Sequence, residues 1–133
     1  MIKLASDAMK SFGIEHPRIG VAGLNPHAGD GGLFGWEEEK EILPAIVEAK
    51  GLGIDTEGPV PADTLFSKAR GGWYDIVVAM YHDQGHIPLK LVGFTWNEKE
   101  KKWNSVSGIN VTLGLPIIRA SVEIGRASCR ERV

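Results

Sequence analysis

Tyr74-Asp-Ile-Val-Val-Ala-Met80 is the stretch on which the fold turns. From Ile76 onward it is a continuous apolar run, the pattern of a strand in a sheet covered on both faces. Polar residues follow at once, in Tyr81-His-Asp-Gln-Gly85. Upstream, Pro61-Ala-Asp-Thr-Leu-Phe66 opens a short helix. Before it, Trp36 to Lys50 reads as a helix with Glu37, Glu38 and Glu39 in its first turn, where carboxylates suit the helix dipole. Pro44 predicts a kink or break in that helix, and Gly51 and Gly53 end it. Asn25 to Gly35 is a Gly-rich loop after a short buried strand, Arg18-Ile-Gly-Val-Ala-Gly23. The N-terminal stretch is helical, with Ile2, Ala5, Met9 and Phe12 on one face that needs a packing partner.

Downstream of the apolar run, His82 to Lys90 occupies loop and first-turn positions. Phe94 to Trp103 reads as an exposed hairpin with Asn97 to Lys102 at its tip. Ile109-Asn-Val-Thr-Leu113 is β-like, and Gly114-Leu-Pro116 turns the chain. The order is helix, strand, helix, strand, helix, strand, helix, then a hairpin. Such alternation predicts a layered α/β domain.

The chain has 133 residues, one domain or part of a larger one, with 43% hydrophobic and 24% charged residues. A net charge of −2 gives no electrostatic case for nucleic acid or an anionic membrane. Lys99, Lys101 and Lys102 alternate with Glu98 and Glu100, as in a solvated loop. No apolar run approaches the roughly 20 residues that span a bilayer. The N-terminus lacks a signal-peptide layout, so the expected compartment is the cytoplasm. A lone cysteine, Cys129, excludes an internal disulfide and a cysteine-based zinc site.

Three segments carry the chemistry, each where α/β domains place their sites, at strand C-terminal ends. Gly23-Leu-Asn-Pro-His-Ala-Gly-Asp-Gly-Gly32 has His27 among glycines that let backbone approach a ligand. It is neither GxGxxG nor a P-loop. In Tyr81-His-Asp-Gln-Gly85, His82 offers an imidazole to a divalent metal. Asp83 can orient that ring, ligate or act as a base. Such polar residues beside a buried strand are costly unless they meet a ligand or each other. Lys90 can reach an anion as a point charge. His86, beside Ile87 and Pro88, reads as a packing or hydrogen-bonding residue, and His16 as a surface one. In Asn110-Val-Thr-Leu-Gly-Leu-Pro-Ile-Ile-Arg119, the arginine suits a bidentate grip on carboxylate or phosphate, or a structural ion pair. Spacing alone does not bring the three segments together.

Four stretches, GLNPHAGDGGLFG, GPVPADTLF, VVAMYHDQGHIPLK and NVTLGLPIIR, resemble the 4-hydroxythreonine-4-phosphate dehydrogenase family of vitamin B6 biosynthesis. The resemblance runs from about Ile2 to Val122. It implies a layered α/β/α part of a two-domain fold like that of isocitrate and isopropylmalate dehydrogenases. It also implies a homodimer whose cleft uses residues of both subunits. Its metal histidines fall on His27 and His82, and a further metal histidine of the family lies upstream of Met1. Its substrate-contacting residues fall on Lys90, Asn110 and Arg119, and acidic residues near the site match Asp63 and Asp83. The implied cofactors are NAD or NADP and a divalent metal (Zn, Mg or Co); no NAD-binding residue is identified. The implied substrate is 4-phosphooxy-L-threonine, oxidised to a β-keto acid that loses CO2. The insertion from Thr95 to Ser107 resembles a subgroup acting on sugar-acid phosphates such as 4-phospho-D-erythronate. A third reading is an inert phosphate-binding α/β module.

Glu123-Ile-Gly-Arg-Ala-Ser-Cys-Arg-Glu-Arg-Val133 has no apolar periodicity and resembles the in-frame translation of a sequencing-adapter DNA. The expectation is a dehydrogenase region over 1–122 and a non-native tail over 123–133.

Overall fold

The computed structural model describes residues 1–103, 109–117 and 119–122. The expectation for residues 123–133 lies outside them. The chain forms two compact units, Met1–Gly85 and His86–Val133.

The first unit is built on a three-stranded sheet of β1 (Ile19–Ala22), β2 (Thr56–Val60) and β3 (Ile76–Val78). The order is β2-β1-β3 and both pairings are parallel, with Ile19 opposite Thr56 on one side and Ile76 on the other. The two strands expected from the sequence, Arg18–Gly23 and Tyr74–Met80, are thus neighbours. β1 is buried as expected, but β3 is not the strand covered on both faces. All four residues of β1 are buried, whereas β3 lies at the edge of this unit's sheet and is half-buried. The physical reason is position, since only the central strand has a neighbour on each side as well as helices above and below.

Alternation along β1 explains the layers. Ile19 and Val21 point into a core shared with Ile2 and Ala5 of α1 (Ile2–Ser11), with Ile42, and with Ile46 and Ala49 of α2 (Leu43–Gly51). Gly20 and Ala22 point the other way. There Ala22 joins Val60, Tyr74 and Leu65 of α3 (Ala62–Arg70) in a second core. Each buried Ile, Leu or Val side chain stabilises the unit by roughly 1.5–3 kcal/mol. The N-terminal helix finds its partner in β1, β3 and α2. Phe12, expected on its buried face, is instead 64% exposed beyond the last turn; Ala8 takes the inward position.

The helix expected over Trp36–Lys50 is in two parts. A π-helical turn, Glu38–Ile42, runs into α2, whose first turn holds Pro44. Proline has no N–H for the carbonyl four residues back, and its ring crowds that carbonyl. The wider π turn accommodates both.

The second unit contains two antiparallel ribbons. β4 (Trp96–Asn97) pairs with β5 (Lys102–Trp103), and the Asn97 side chain accepts from the main-chain N–H groups of Lys99 and Glu100 at 3.0 and 3.2 Å. This is the expected exposed hairpin, its turn closed by an asparagine. β6 (Ile109–Thr112) pairs with β7 (Arg119–Val122). The sequence did not mark β7 as a strand. α4 (His82–Gly93) carries Pro88 in its interior.

Candidate active site

Every candidate of the first unit follows the C-terminal end of a parallel strand. His27 follows β1, Asp63 follows β2 in the first turn of α3, and His82 and Asp83 follow β3 in the first turn of α4. This edge is where open α/β sheets bind ligands. All four side chains are exposed. The sequence reading set these residues in separate loop and first-turn positions; the parallel sheet places them along one edge.

His82 Nδ1 lies 2.7 Å from Asp83 Oδ1. The carboxylate favours the tautomer with its proton on Nδ1 and its lone pair on Nε2, the arrangement typical of a metal-binding histidine. The donor chemistry of His27 and His82 therefore fits a divalent transition cation as two neutral imidazoles. Among the described residues, no three His, Cys, Asp or Glu side chains gather as a metal site. Asp63 accepts a long bond from its neighbour Thr64 at 3.4 Å.

His27 stands on an unusual turn. Pro26–Gly32 is 3₁₀-like, but His27, Ala28 and Asp30 all have positive φ, at 53°, 54° and 44°. Left-handed backbone costs an L-residue roughly 1–2 kcal/mol. Three such residues therefore need compensation of several kcal/mol from their surroundings. Glu38 contributes to it. Its Oε1 accepts from the main-chain N–H of Leu24 at 2.8 Å and of Asn25 at 2.6 Å, and its Oε2 accepts from Asn25 Nδ2 at 2.9 Å. Hydrogen bonds to a charged group contribute about 1.5–3 kcal/mol each. Burial alone would push the Glu38 carboxyl up. The bonds from the Asn25 side chain and from the main chain of Asn25, Glu38 and Leu24 outweigh burial and hold it below its ordinary value. The ring of Phe34 stands 5.9 Å from that of His27, tilted by 43°.

Glu38 stands in a first helical turn, as expected, but the sequence reading did not foresee its burial: it is 2% exposed. The signal was present, because Glu38, Ile42 and Ile46 recur every four residues and share a face. Gln84 was also missed as a separate element. It is buried, accepts from the Met80 N–H at 2.7 Å and donates to the Gly23 carbonyl at 2.8 Å. The polar cluster after β3 thus meets the protein's own backbone as well as offering His82 and Asp83 outward.

In the second unit, Lys90 lies exposed in the last turn of α4. Asn110 and Arg119 sit on facing strands of the β6–β7 ribbon, where Thr112 is opposite Arg119 and Asn110 opposite Ser121. Directly opposed residues share a face, as do residues two apart. Asn110, Thr112 and Arg119 therefore form one polar face, and Ile109, Val111 and Ala120 fall on the other. The bracketing read in the sequence becomes a diagonal pair, within reach of a common anion for side chains of this length.

Comparison with known proteins supplies the family. The family model described as pyridoxal phosphate biosynthetic protein PdxA matches residues 1–128. A 4-hydroxythreonine-4-phosphate dehydrogenase of Beijerinckia indica is 53% identical over 126 residues, 95% of this chain and 34% of that protein. A D-threonate 4-phosphate dehydrogenase of Pectobacterium atrosepticum is 51% identical over 127 residues, 96% of this chain and 36% of that protein. The crystal structure of 4-hydroxythreonine-4-phosphate dehydrogenase from Klebsiella pneumoniae superposes with a TM-score of 0.78 at 48% identity, covering 93% of this chain and 34% of that one. The chain spans about a third of the length of these relatives. With 128 residues matched, it belongs to the PdxA family of pyridoxal phosphate biosynthetic proteins.

Proposed function

We propose that the protein carrying this chain is a dehydrogenase that oxidises the C3 hydroxyl of a four-carbon, 4-phosphorylated hydroxy acid. The observation that carries this is the placement of His27, Asp63 and the bonded pair His82–Asp83 at the C-terminal edge of one parallel sheet. The substrate read from the family is 4-phosphooxy-L-threonine. The Pectobacterium relative, named for D-threonate 4-phosphate, favours a second reading, an acid with a hydroxyl in place of the C2 amine. That acid belongs to the same sugar-acid phosphate class as 4-phospho-D-erythronate.

His27 and His82 would hold a divalent cation (Zn, Mg or Co), which as a Lewis acid lowers the pKa of a bound hydroxyl. NAD or NADP, when bound, would supply the hydride acceptor. Asp83 holds the His82 ring and, with Asp63, offers a carboxylate for the hydroxyl proton. C3 loses hydride and its hydroxyl loses a proton, leaving a β-keto acid; its C1–C2 bond then breaks with release of CO2, and the electron pair left at C2 takes up a proton. Lys90, Asn110 and Arg119 bind the anionic groups of the substrate. A homodimer and a cytoplasmic location complete the reading. No helix among the described residues is long and apolar enough to cross a membrane.

The test is NADH or NADPH formation by a full-length protein carrying this segment, with 4-phosphooxy-L-threonine, D-threonate 4-phosphate and 4-phospho-D-erythronate in parallel. Turnover of one of them is expected. Arg119→Ala should raise KM by about one to two orders of magnitude, the loss of a hydrogen bond to a charged group. No turnover of any, by folded protein with metal added, would overturn the reading.

A further inference from the structure

We propose that Glu38 and Gln84 form a brace across Gly23 that fixes the His27 segment relative to the His82–Asp83 segment, so that both are positioning residues. This rests on reading His27 and His82 as ligands of one cation.

The brace is a continuous path of hydrogen bonds. From β3, the Met80 N–H donates to Gln84 Oε1, and Gln84 Nε2 donates to the Gly23 carbonyl at the end of β1. The Gly23 N–H in turn donates to the Val60 carbonyl at 2.9 Å, tying the same residue to the end of β2. The next two main-chain N–H groups, of Leu24 and Asn25, both donate to Glu38 Oε1. Glycine is required at position 23 by the closeness of its neighbours. A Cβ there would lie 3.0 Å from the Ala28 Cα, 3.1 Å from its Cβ and 3.3 Å from Glu38 Oε1. The left-handed turn carrying His27 is therefore packed directly on the residue that Gln84 holds. Gln84 lies two residues from His82, and Asn25 two residues from His27. Gln84 and Glu38 are 7% and 2% exposed, so neither is available to substrate.

The experiment uses a full-length family member carrying this segment and the variants Glu38→Ala, Glu38→Gln and Gln84→Met, with His27→Ala and His82→Ala as references. Amide hydrogen exchange is followed over residues 24–32 and 82–85, without metal. Coupled acceleration of both segments is expected from either Glu38→Ala or Gln84→Met. Acceleration confined to the mutated segment overturns the brace, whatever the histidines bind. Co²⁺ alone is then titrated by calorimetry and visible absorption. Loss of an outer-shell partner costs a metal site about 10- to 100-fold in affinity. That loss, with a changed Co²⁺ spectrum, is expected for Glu38→Ala and Gln84→Met. Glu38→Gln keeps an acceptor for the two main-chain N–H groups and should recover most of the affinity. If Glu38→Ala does not fold, Glu38→Gln and Gln84→Met carry the test. Lower melting temperatures with unchanged Co²⁺ affinity and spectrum would reduce both residues to structural ones and overturn the proposal. Co²⁺ binding that survives both histidine substitutions would instead overturn the metal reading, leaving the exchange result to decide the brace.

Discussion

At the scale of single residues, an ion pair at the start of the sheet shows how charge sets the response to pH. Asp75 accepts from the Arg18 main-chain N–H at 2.8 Å, from Arg18 Nε at 3.0 Å and from Arg18 Nη2 at 2.9 Å. It joins the residues that lead into β1 and β3. The side-chain and main-chain bonds from Arg18 outweigh burial and hold the Asp75 carboxyl at about 2, against an ordinary 3.8. A depressed carboxyl pKa stabilises the fold fully above the unfolded value, and that stabilisation is lost as pH falls through the folded one. The first unit should therefore lose stability between about pH 4 and pH 2 by the linkage of this group. Asp75→Asn should lower stability at neutral pH and remove that part of the acid dependence. Denaturant melts of both proteins across this range give the measurement; parallel curves would show that the pair contributes nothing.

At the scale of elements, β1 is so short that its alternation decides which helix covers which face. Gly20 is the residue that lets α3 sit close. A Cβ at that position would lie 2.7 Å from Leu65 Cδ1, 2.8 Å from Tyr74 Cδ2 and 2.9 Å from Tyr74 Cγ. Leu65 is fully buried and Tyr74 7% exposed, so neither can swing into solvent. Gly20→Ala should cost about 1–3 kcal/mol by overpacking. At about 4–8 °C per kcal/mol for a unit of this size, the melting temperature should fall by at least about 4 °C. Adding Leu65→Val should recover part of it, since the shorter side chain gives the new methyl room. Circular dichroism melts of the single and double variants decide the matter, and an unchanged single variant would mean that α3 moves freely over the sheet.

At the scale of the molecule, the β6–β7 ribbon has a polar face with Asn110 and Arg119 and an opposite face with Ile109, Val111 and Ala120. Ile109 is 71% and Val111 40% exposed. A two-stranded ribbon is marginal in water without a covered apolar face. If the full-length protein is a homodimer that covers this face, Ile109→Lys with Val111→Lys should shift it toward monomer in sedimentation velocity. A dimer of undiminished stability would exclude the ribbon from the interface.

The alternation of apolar runs with glycine and proline signals determined the succession of helices and strands as far as β6 and the hairpin at Asn97. These are local properties, because side-chain period and turn chemistry act over a few residues. The residue types of the candidate site, His27, Asp63, His82 and Asp83, were legible for the same reason, as polar groups set after strands. Tertiary structure alone decided which strand is central, since burial of β1 over β3 depends on what lies on each side. It also decided the fate of Glu38. Three consecutive glutamates look equally solvated in sequence, yet only one lies in line with Ile42 and Ile46. Its charge is tolerated in the interior because N–H groups of Leu24 and Asn25, more than ten residues away along the chain, arrive there to bond it.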